Sequence, residues 1–307
     1  MDRHDPREEA PGLAAPSPGT LRRLQQLASA DGLFTLIDLG AAGPAAEEVL
    51  ERVAVLAATP SAVLLDPVVT APRAITAQLL PRDVALLLGA QPGDDEPWLP
   101  AARRLAASGA RLRLPYHPGL EDHAAGQREV VRRFVAVCRS ADLPALVEPV
   151  LVPTPEEERT PTVFAARRPE LVALSAAQLT PLGFDLLLST FPAPGYALHE
   201  ELRALEACER LDEASLTPWL LSASEVGFDE FAGQVRLASL AGASGFLAGA
   251  VLWQEGAELP GRAAREDFLT RVAVNRVRVL TALTLEHSQP WTRRFSRLTL
   301  GRSEATW

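Results

Sequence analysis

The chain contains no lysine. All thirty of its basic residues are arginine, in a sequence of 307 residues with 39 aspartates and glutamates and a formal charge of −9. Arginine stays protonated and is a poor nucleophile. No side chain here can therefore form a Schiff base with a carbonyl substrate or with pyridoxal phosphate, and a Walker-type phosphate loop lacks its lysine. Two cysteines, Cys138 and Cys208, are too few for a disulfide framework and imply a reducing, cytoplasmic setting. The acidic balance argues against a nucleic-acid partner, whose phosphates need a positive counter-surface. No apolar run reaches the roughly 18 residues of a membrane span, and the N-terminal MDRHDPREEAPG has no apolar stretch of a secretory signal, so no membrane partner is expected. The five histidines, His4, His117, His123, His199 and His287, show no metal-ligand spacing, and neither HExxH nor GxSxG occurs. No cofactor and no metal is expected, although an oxygen-ligand site built from Asp38, Asp66 and Glu148 stays open.

What is present is a globular composition, 47% hydrophobic and 22% charged. Short apolar runs of strand length alternate with longer amphipathic stretches. The expected strands are Leu33–Asp38, Ala62–Asp66, Asp83–Gly89, Arg111–Pro115, Ala145–Val150, Phe184–Thr190, Trp219–Ala223 and Gly245–Gly249. Helices are expected near 43–57, 97–108, 123–140, 165–177, 197–211, 227–241 and 263–284, and more weakly at 70–80. Eight such units predict an α/β fold, a (β/α)8 TIM barrel. The rival, a doubly wound open sheet, would need GxGxxG after its first strand, and the segment after Asp38 lacks that spacing. The division expected is a flexible arm over 1–19, the barrel over 20–295 and a tail over 296–307. The acidic, proline-rich stretch 152–162 reads as a solvated loop or, on the catalytic face, a lid.

A barrel places its chemistry at the C-terminal ends of its strands. Asp38 and Asp66 end the first two runs, and Glu148 lies within the fifth. A carboxylate after an apolar run is costly to bury unless paired. Helix capping is the plain alternative for Asp38 and Asp66, whereas Glu148, followed by proline inside a strand, fits that role poorly. In Ala110-Arg111-Leu112-Arg113-Leu114-Pro115 the period of two turns Arg111 and Arg113 inward if Leu112 and Leu114 face the helices. They would then neutralise the carboxylates or bind an anionic ligand. Tyr116 and His117 follow on the same rim. Thr190 and Ser222, at the ends of the sixth and seventh runs, complete a candidate substrate-binding set with Arg111, Arg113 and His117. Trp219, Trp253 and Trp291 read as packing residues, Cys138 as a buried small hydrophobe, and the pairs Arg132-Arg133, Arg167-Arg168 and Arg293-Arg294 as solvated faces.

Several motifs occur in an order that resembles the tagatose 1,6-bisphosphate aldolases, class I aldolases on a (β/α)8 barrel. The resemblance runs from Leu21 to Arg293. Leu36-Ile37-Asp38 is similar to that family's first strand and Ser61-Ala62-Val63-Leu64-Leu65-Asp66-Pro67 to its second. Asp142 through Pro149 is similar to the strand carrying its catalytic glutamate, here Glu148. Leu221-Ser222-Ala223, Gly242 through Trp253 and Gln289-Pro290-Trp291 follow in place. The departures fall on the chemistry. Leu188 stands where the family has its Schiff-base lysine, and Ala250 where an arginine is expected to hold a substrate phosphate. Ser224 replaces a glycine, Arg111 a second lysine, and Leu39-Gly40 the family's QRG.

Two functions follow. One is a divergent enzyme, a lyase or isomerase of carbohydrate metabolism, acting on a small sugar-like or carbonyl compound by lysine-independent acid/base chemistry. Glu148 would be its acid or base, Asp38 and Asp66 catalytic partners, and Arg111 or Arg113 the anion or enolate contact. The other is an inactive pseudoenzyme that binds a metabolite or partner protein. An open mouth at Glu148 favours the first, and a mouth filled by Leu188, Trp253 or 152–162 the second. A homodimer is left open, on no ground beyond the frequency of twofold symmetry.

Overall fold

A computed structural model of the chain describes residues 16–40, 46–90, 98–193 and 200–294. Eight parallel strands close a barrel in chain order: β1 (Phe34–Asp38), β2 (Ala62–Leu65), β3 (Ala85–Ala90), β4 (Gly109–Tyr116), β5 (Ala145–Leu151), β6 (Leu186–Ser189), β7 (Trp219–Ser222) and β8 (Gly245–Ala248). The helices are α1 (Pro18–Leu27), α2 (Ala46–Leu56), α3 (Thr70–Thr76), α4 (Trp98–Arg104), α5 (Glu121–Ser140), α6 (Pro155–Arg159), α7 (Pro161–Leu179), α8 (Glu201–Ala214), α9 (Phe228–Leu240), α10 (Gln254–Ala257), α11 (Arg262–Phe268) and α12 (Val274–His287). Every crossover between consecutive strands carries a helix, as parallel pairing requires.

The strands read as continuous apolar runs because both of their faces are covered. Ile37, Val63, Leu88, Leu112, Leu114, Val147, Leu187, Leu221 and Phe246 pack outward against the helices. Phe34, Leu36, Leu64, Leu87, Leu146, Leu186, Leu188, Leu220 and Leu247 fill the interior. Leu24 and Leu27 of α1 join that interior group with Trp291, so α1 plugs the N-terminal end of the barrel. The plug is tied at both ends. Ser17 caps α1 and donates to Asp142 Oδ1 at 2.6 Å, and Trp291 N donates to Gly32 O at 3.0 Å. The ring closes where β8 meets β1 (Phe34↔Gly245). There Gly245 has φ +144°, and a Cβ on it would lie 1.9 Å from Phe34 O, so only glycine closes the ring.

The doubly wound alternative is thus set aside, and each strand begins and ends within two residues of expectation. The helix expected at 263–284 is α11 and α12 joined through a π-helical turn, Leu269–Ala273. The stretch 152–162 is not irregular. Thr154 and Glu157 form a reciprocal capping box that starts α6, and α7 follows from Pro161. Of the expected arm, 1–15 lies outside the described residues, as does the tail 296–307. Cys138 and Cys208 are buried thiols. No helix among the described residues is long and apolar enough to cross a membrane.

Candidate functional site

The inward positions of the strand ends change from leucine to charge. Arg111 of β4 reaches across the interior between two carboxylates. Its Nη1 donates to Glu148 Oε2 at 2.6 Å, and its Nη2 lies 3.3 Å from Asp38 Oδ2. The other oxygen of Glu148 accepts from Ser222 Oγ at 2.6 Å, which joins β5 to β7 across the barrel. Arg113 stands one turn of the pleat further out. Its Nε is 3.9 Å from Glu148 Oε1 and its side chain is 60% exposed, against 5% for Glu148. The inward alternation of Arg111 and Arg113 therefore holds, and it builds a graded site with a buried ion cluster below and an exposed cation above.

The electrostatics follow from that placement. Burial pushes the Asp38 carboxyl above its ordinary range, against the pull of Arg111, and the charge on Glu148 adds to the rise. Burial works against the Arg111 guanidinium too, but Glu148 and Asp38 outweigh it and hold its pKa above the usual arginine value. Arg111 Nε is buried without a hydrogen-bond partner. The guanidinium occupies the space between the two carboxylates that a cation would take. Among the described residues no group of three His, Cys, Asp or Glu side chains is placed to hold a metal ion.

Above Glu148 opens a cleft of about 430 Å³, displaced from the barrel axis toward β5–β7 and walled by α7 and α9. Arg113, Glu148, Arg168, Thr190, Glu225 and Gln234 are its main polar lining, and Phe164, Phe191 and Val226 are apolar walls. Leu151 and Phe164, on either side of 152–162, also line it, and no residue of that stretch does. Trp253 does not line the cleft. It is buried in the sheet–helix layer, under the Arg52 guanidinium.

The expected site residues divide accordingly. Glu148, Asp38, Arg111 and Ser222 meet in one cluster, and Arg113 and Thr190 line the cleft above it. Asp66, expected beside Glu148, turns Oδ1 to the amides of Val68 and Val69 at 2.9 and 2.7 Å. It organises the turn into α3, and no contact joins it to Asp38 or Glu148. His117, expected as a substrate contact, is buried away from the cleft lining. Its Nδ1 accepts from Gly119 N at 3.1 Å and its Nε2 lies 3.0 Å from Glu157 Oε2, so it ties the β4–α5 turn to α6. Tyr116 points outward, its hydroxyl donating to Gln178 Oε1 at 2.6 Å. Leu188 is buried in the interior cluster, and Ala250 is exposed on a 3-10 turn after β8.

Arg168, expected on a solvated face, lies in the cleft instead. Its Nε donates to Phe191 O at 2.9 Å and its side chain lines the cleft. A signal was there. Arg168, Val172, Ser175 and Leu179 repeat at helical spacing, and the last three are the buried face of α7. Arg294 likewise is no free cation: it pairs with Asp212 and donates to Ser215 O at 2.6 Å.

Residues 45–255 match the family described as DeoC/LacD family aldolase. Solved structures that share the fold include three aldolases. An archaeal fructose 1,6-bisphosphate aldolase is 18% identical, with a TM-score of 0.58 over 87% of this chain and 99% of that one. The fructose-bisphosphate aldolase of Slackia heliotrinireducens is 14% identical, with a TM-score of 0.61 over 94% and 92%. That of Plasmodium falciparum is 13% identical, with a TM-score of 0.57 over 88% and 95%.

Proposed function

The chain belongs to the DeoC/LacD family of aldolases, and from that premise we propose that it acts on a small sugar-like or carbonyl compound by acid/base chemistry without a Schiff base. The observation that carries this reading is the open cleft whose floor is Glu148. A barrel kept only as a scaffold has no need of a buried, fully hydrogen-bonded carboxylate under an accessible polar mouth. The chain departs from the tagatose-bisphosphate pattern where an imine would form. It has no lysine at all, and Leu188 packs as interior hydrocarbon.

In this reading Glu148 removes or returns a proton on a carbon or hydroxyl next to the ligand's carbonyl. Ser222 and Arg111 fix both its oxygens in orientation, and Arg113 above it stabilises the negative charge that develops on the ligand oxygen. Asp38 shares Arg111 with Glu148 and so sets how much positive charge the base feels. Thr190 contributes a hydroxyl at the wall. The reaction is of lyase or isomerase type, in a reducing compartment where both cysteines stay thiols. A second reading, a metabolite-binding member without turnover, draws on the engagement of both Glu148 oxygens by Arg111 and Ser222.

Proton NMR in deuterated water separates the two. A panel of ketoses, aldoses and hydroxy-aldehydes is incubated with wild type and with Glu148→Gln. Deuterium wash-in next to a carbonyl, cleavage or isomerisation that Glu148→Gln abolishes is the expected outcome. Ligand binding with no exchange in any compound would favour the binding-only reading.

A further inference from the structure

Arg168 is the group in the cleft that the chemistry at Glu148 leaves unused. It sits on the buried face of α7, one turn before Val172, and is only partly exposed. One of its nitrogens is committed, Nε to Phe191 O at 2.9 Å, and that bond aims the guanidinium. No carboxylate among the described residues pairs with it, although Glu148, Glu225 and Glu230 line the same cleft. Glu148 is held by Arg111 and Ser222, and Glu230 accepts from Gln234. Phe164, Phe191 and Ala165 lie beside it in the wall, so it works against apolar surface. Burial lowers its pKa. Among the described residues its two terminal nitrogens have no partner, and a planar guanidinium so placed is shaped for an oxyanion, with a poorly hydrated wall to strengthen the pairing.

We infer that Arg168 is a specificity-determining residue that anchors one anionic end of the ligand, a phosphate or carboxylate group, while the ligand's neutral polar body extends along the cleft to Glu148. The lining sets the count of anionic groups. Two arginines, Arg113 and Arg168, face three glutamates, and the nearer arginine is already within 3.9 Å of Glu148. One anionic end is accommodated, and a second would meet the carboxylates. The inference rests on the cleft being the working site, but its test does not depend on turnover.

The experiment is equilibrium binding by calorimetry to wild type, Arg168→Gln, Arg168→Lys and Glu148→Gln. Its probes are glycerol 3-phosphate, glycerate, neutral glycerol and fructose 1,6-bisphosphate. A probe with one anionic group, glycerol 3-phosphate or glycerate, should bind at least about tenfold more tightly than glycerol. Arg168→Gln should erase that preference and Arg168→Lys restore part of it. Comparing glycerol 3-phosphate with glycerate tells which oxyanion is preferred. Equal binding of glycerol and its anionic relatives overturns the inference, as does absence of binding by every anionic probe. An Arg168→Gln variant that melts lower but keeps the anion preference also overturns it, because the arginine is then only a tie to Phe191. A bisphosphate bound about tenfold more tightly than the monophosphate overturns the single-anion count. Should Arg168→Gln fail to fold, the wild-type comparison of anionic with neutral probes still decides. Anion binding through Arg168 with no deuterium exchange anywhere would sink the enzymatic reading and leave this one standing. Exchange that Arg168→Gln leaves untouched does the reverse.

Discussion

At the scale of single residues, the charge balance of the interior turns on Arg111. Among the described residues it is the cation that ion-pairs with both Asp38 and Glu148, so removing it leaves Asp38 without an ion-pair partner and Glu148 with only Arg113 at 3.9 Å. Arg111→Ala should lower stability by about 3–5 kcal/mol at neutral pH, the cost of an uncompensated buried charge. Urea unfolding checks this, and a loss below about 1 kcal/mol would mean that water reaches the cluster. Asp185 makes a second, opposite case. Burial pushes its carboxyl from 3.8 up to about 6, against the Ala145 amide that donates to it and the charge of Arg139. The native state therefore keeps a proton that the unfolded chain has already lost. Stability falls as pH rises from about 4 to about 6 and stays lowered above that window. Asp185→Asn retains an acceptor for the Ala145 amide and carries no charge. It should be more stable than wild type by about 1 kcal/mol or more near pH 8, with the difference vanishing near pH 4. Thermal melts at the two pH values measure it.

At the scale of elements, α6 depends on Glu157. Its carboxylate accepts from Thr154 N at 2.9 Å and Arg167 Nη1 at 2.8 Å, and meets His117 Nε2 at 3.0 Å. Burial acts to raise its pKa, but the Thr154 bonds and His117 outweigh it and hold the carboxyl below its ordinary value of 4.5. Stability from a depressed carboxylate is present above the unfolded pKa and is lost as pH falls through the folded one. Glu157→Gln should cost about 1–3 kcal/mol at neutral pH and much less below about pH 4. Because α6 leads directly into α7, the variant should also loosen Arg168. Denaturation curves at both pH values give the first number, and a flat pH dependence would contradict the assignment. Much of this scale is legible in the sequence. Parallel strands covered on both faces are apolar over most of their length, and the eight runs are, apart from the charged positions of β1, β4 and β5 that build the site. The capping box at Thr154–Glu157 was seen only in the structure. The proline and glutamate content of 152–162 pointed to a loop because a five-residue helix has too few residues to show a period.

At the scale of the whole molecule, closure of the ring rests on the β1–β8 seam and on the plug. Gly245→Ala places a methyl group against Phe34 O and forces a positive φ on alanine. Its cost should exceed the ~1–3 kcal/mol of ordinary overpacking and show as loss of a cooperative melt. Leu27→Ala, in the plug, should cost about 2–5 kcal/mol while leaving ligand binding at the far end intact. A variant that lost binding without losing stability would contradict the separation of plug and site.

The sequence by itself determined the barrel, the absence of any side-chain amine and the inward direction of Arg111 and Arg113. These depend on composition and on periods of 2.0 and 3.6, which are local properties of the chain. Only the tertiary structure decided which polar residues belong together. Asp38 and Asp66 look alike in sequence, each ending an apolar run. Both accept from amides of their own turns, Asp38 from Gly40 N and Asp66 from Val68 N and Val69 N, but only Asp38 also meets Arg111, a partner known only once the strands are side by side. His117 and Arg168 exchanged places for the same reason: the rim histidine was drawn under α6 by Glu157, and the helix arginine was turned into the cleft by Phe191 O. Pairings across tens of residues come from the closed ring, and no local pattern encodes them.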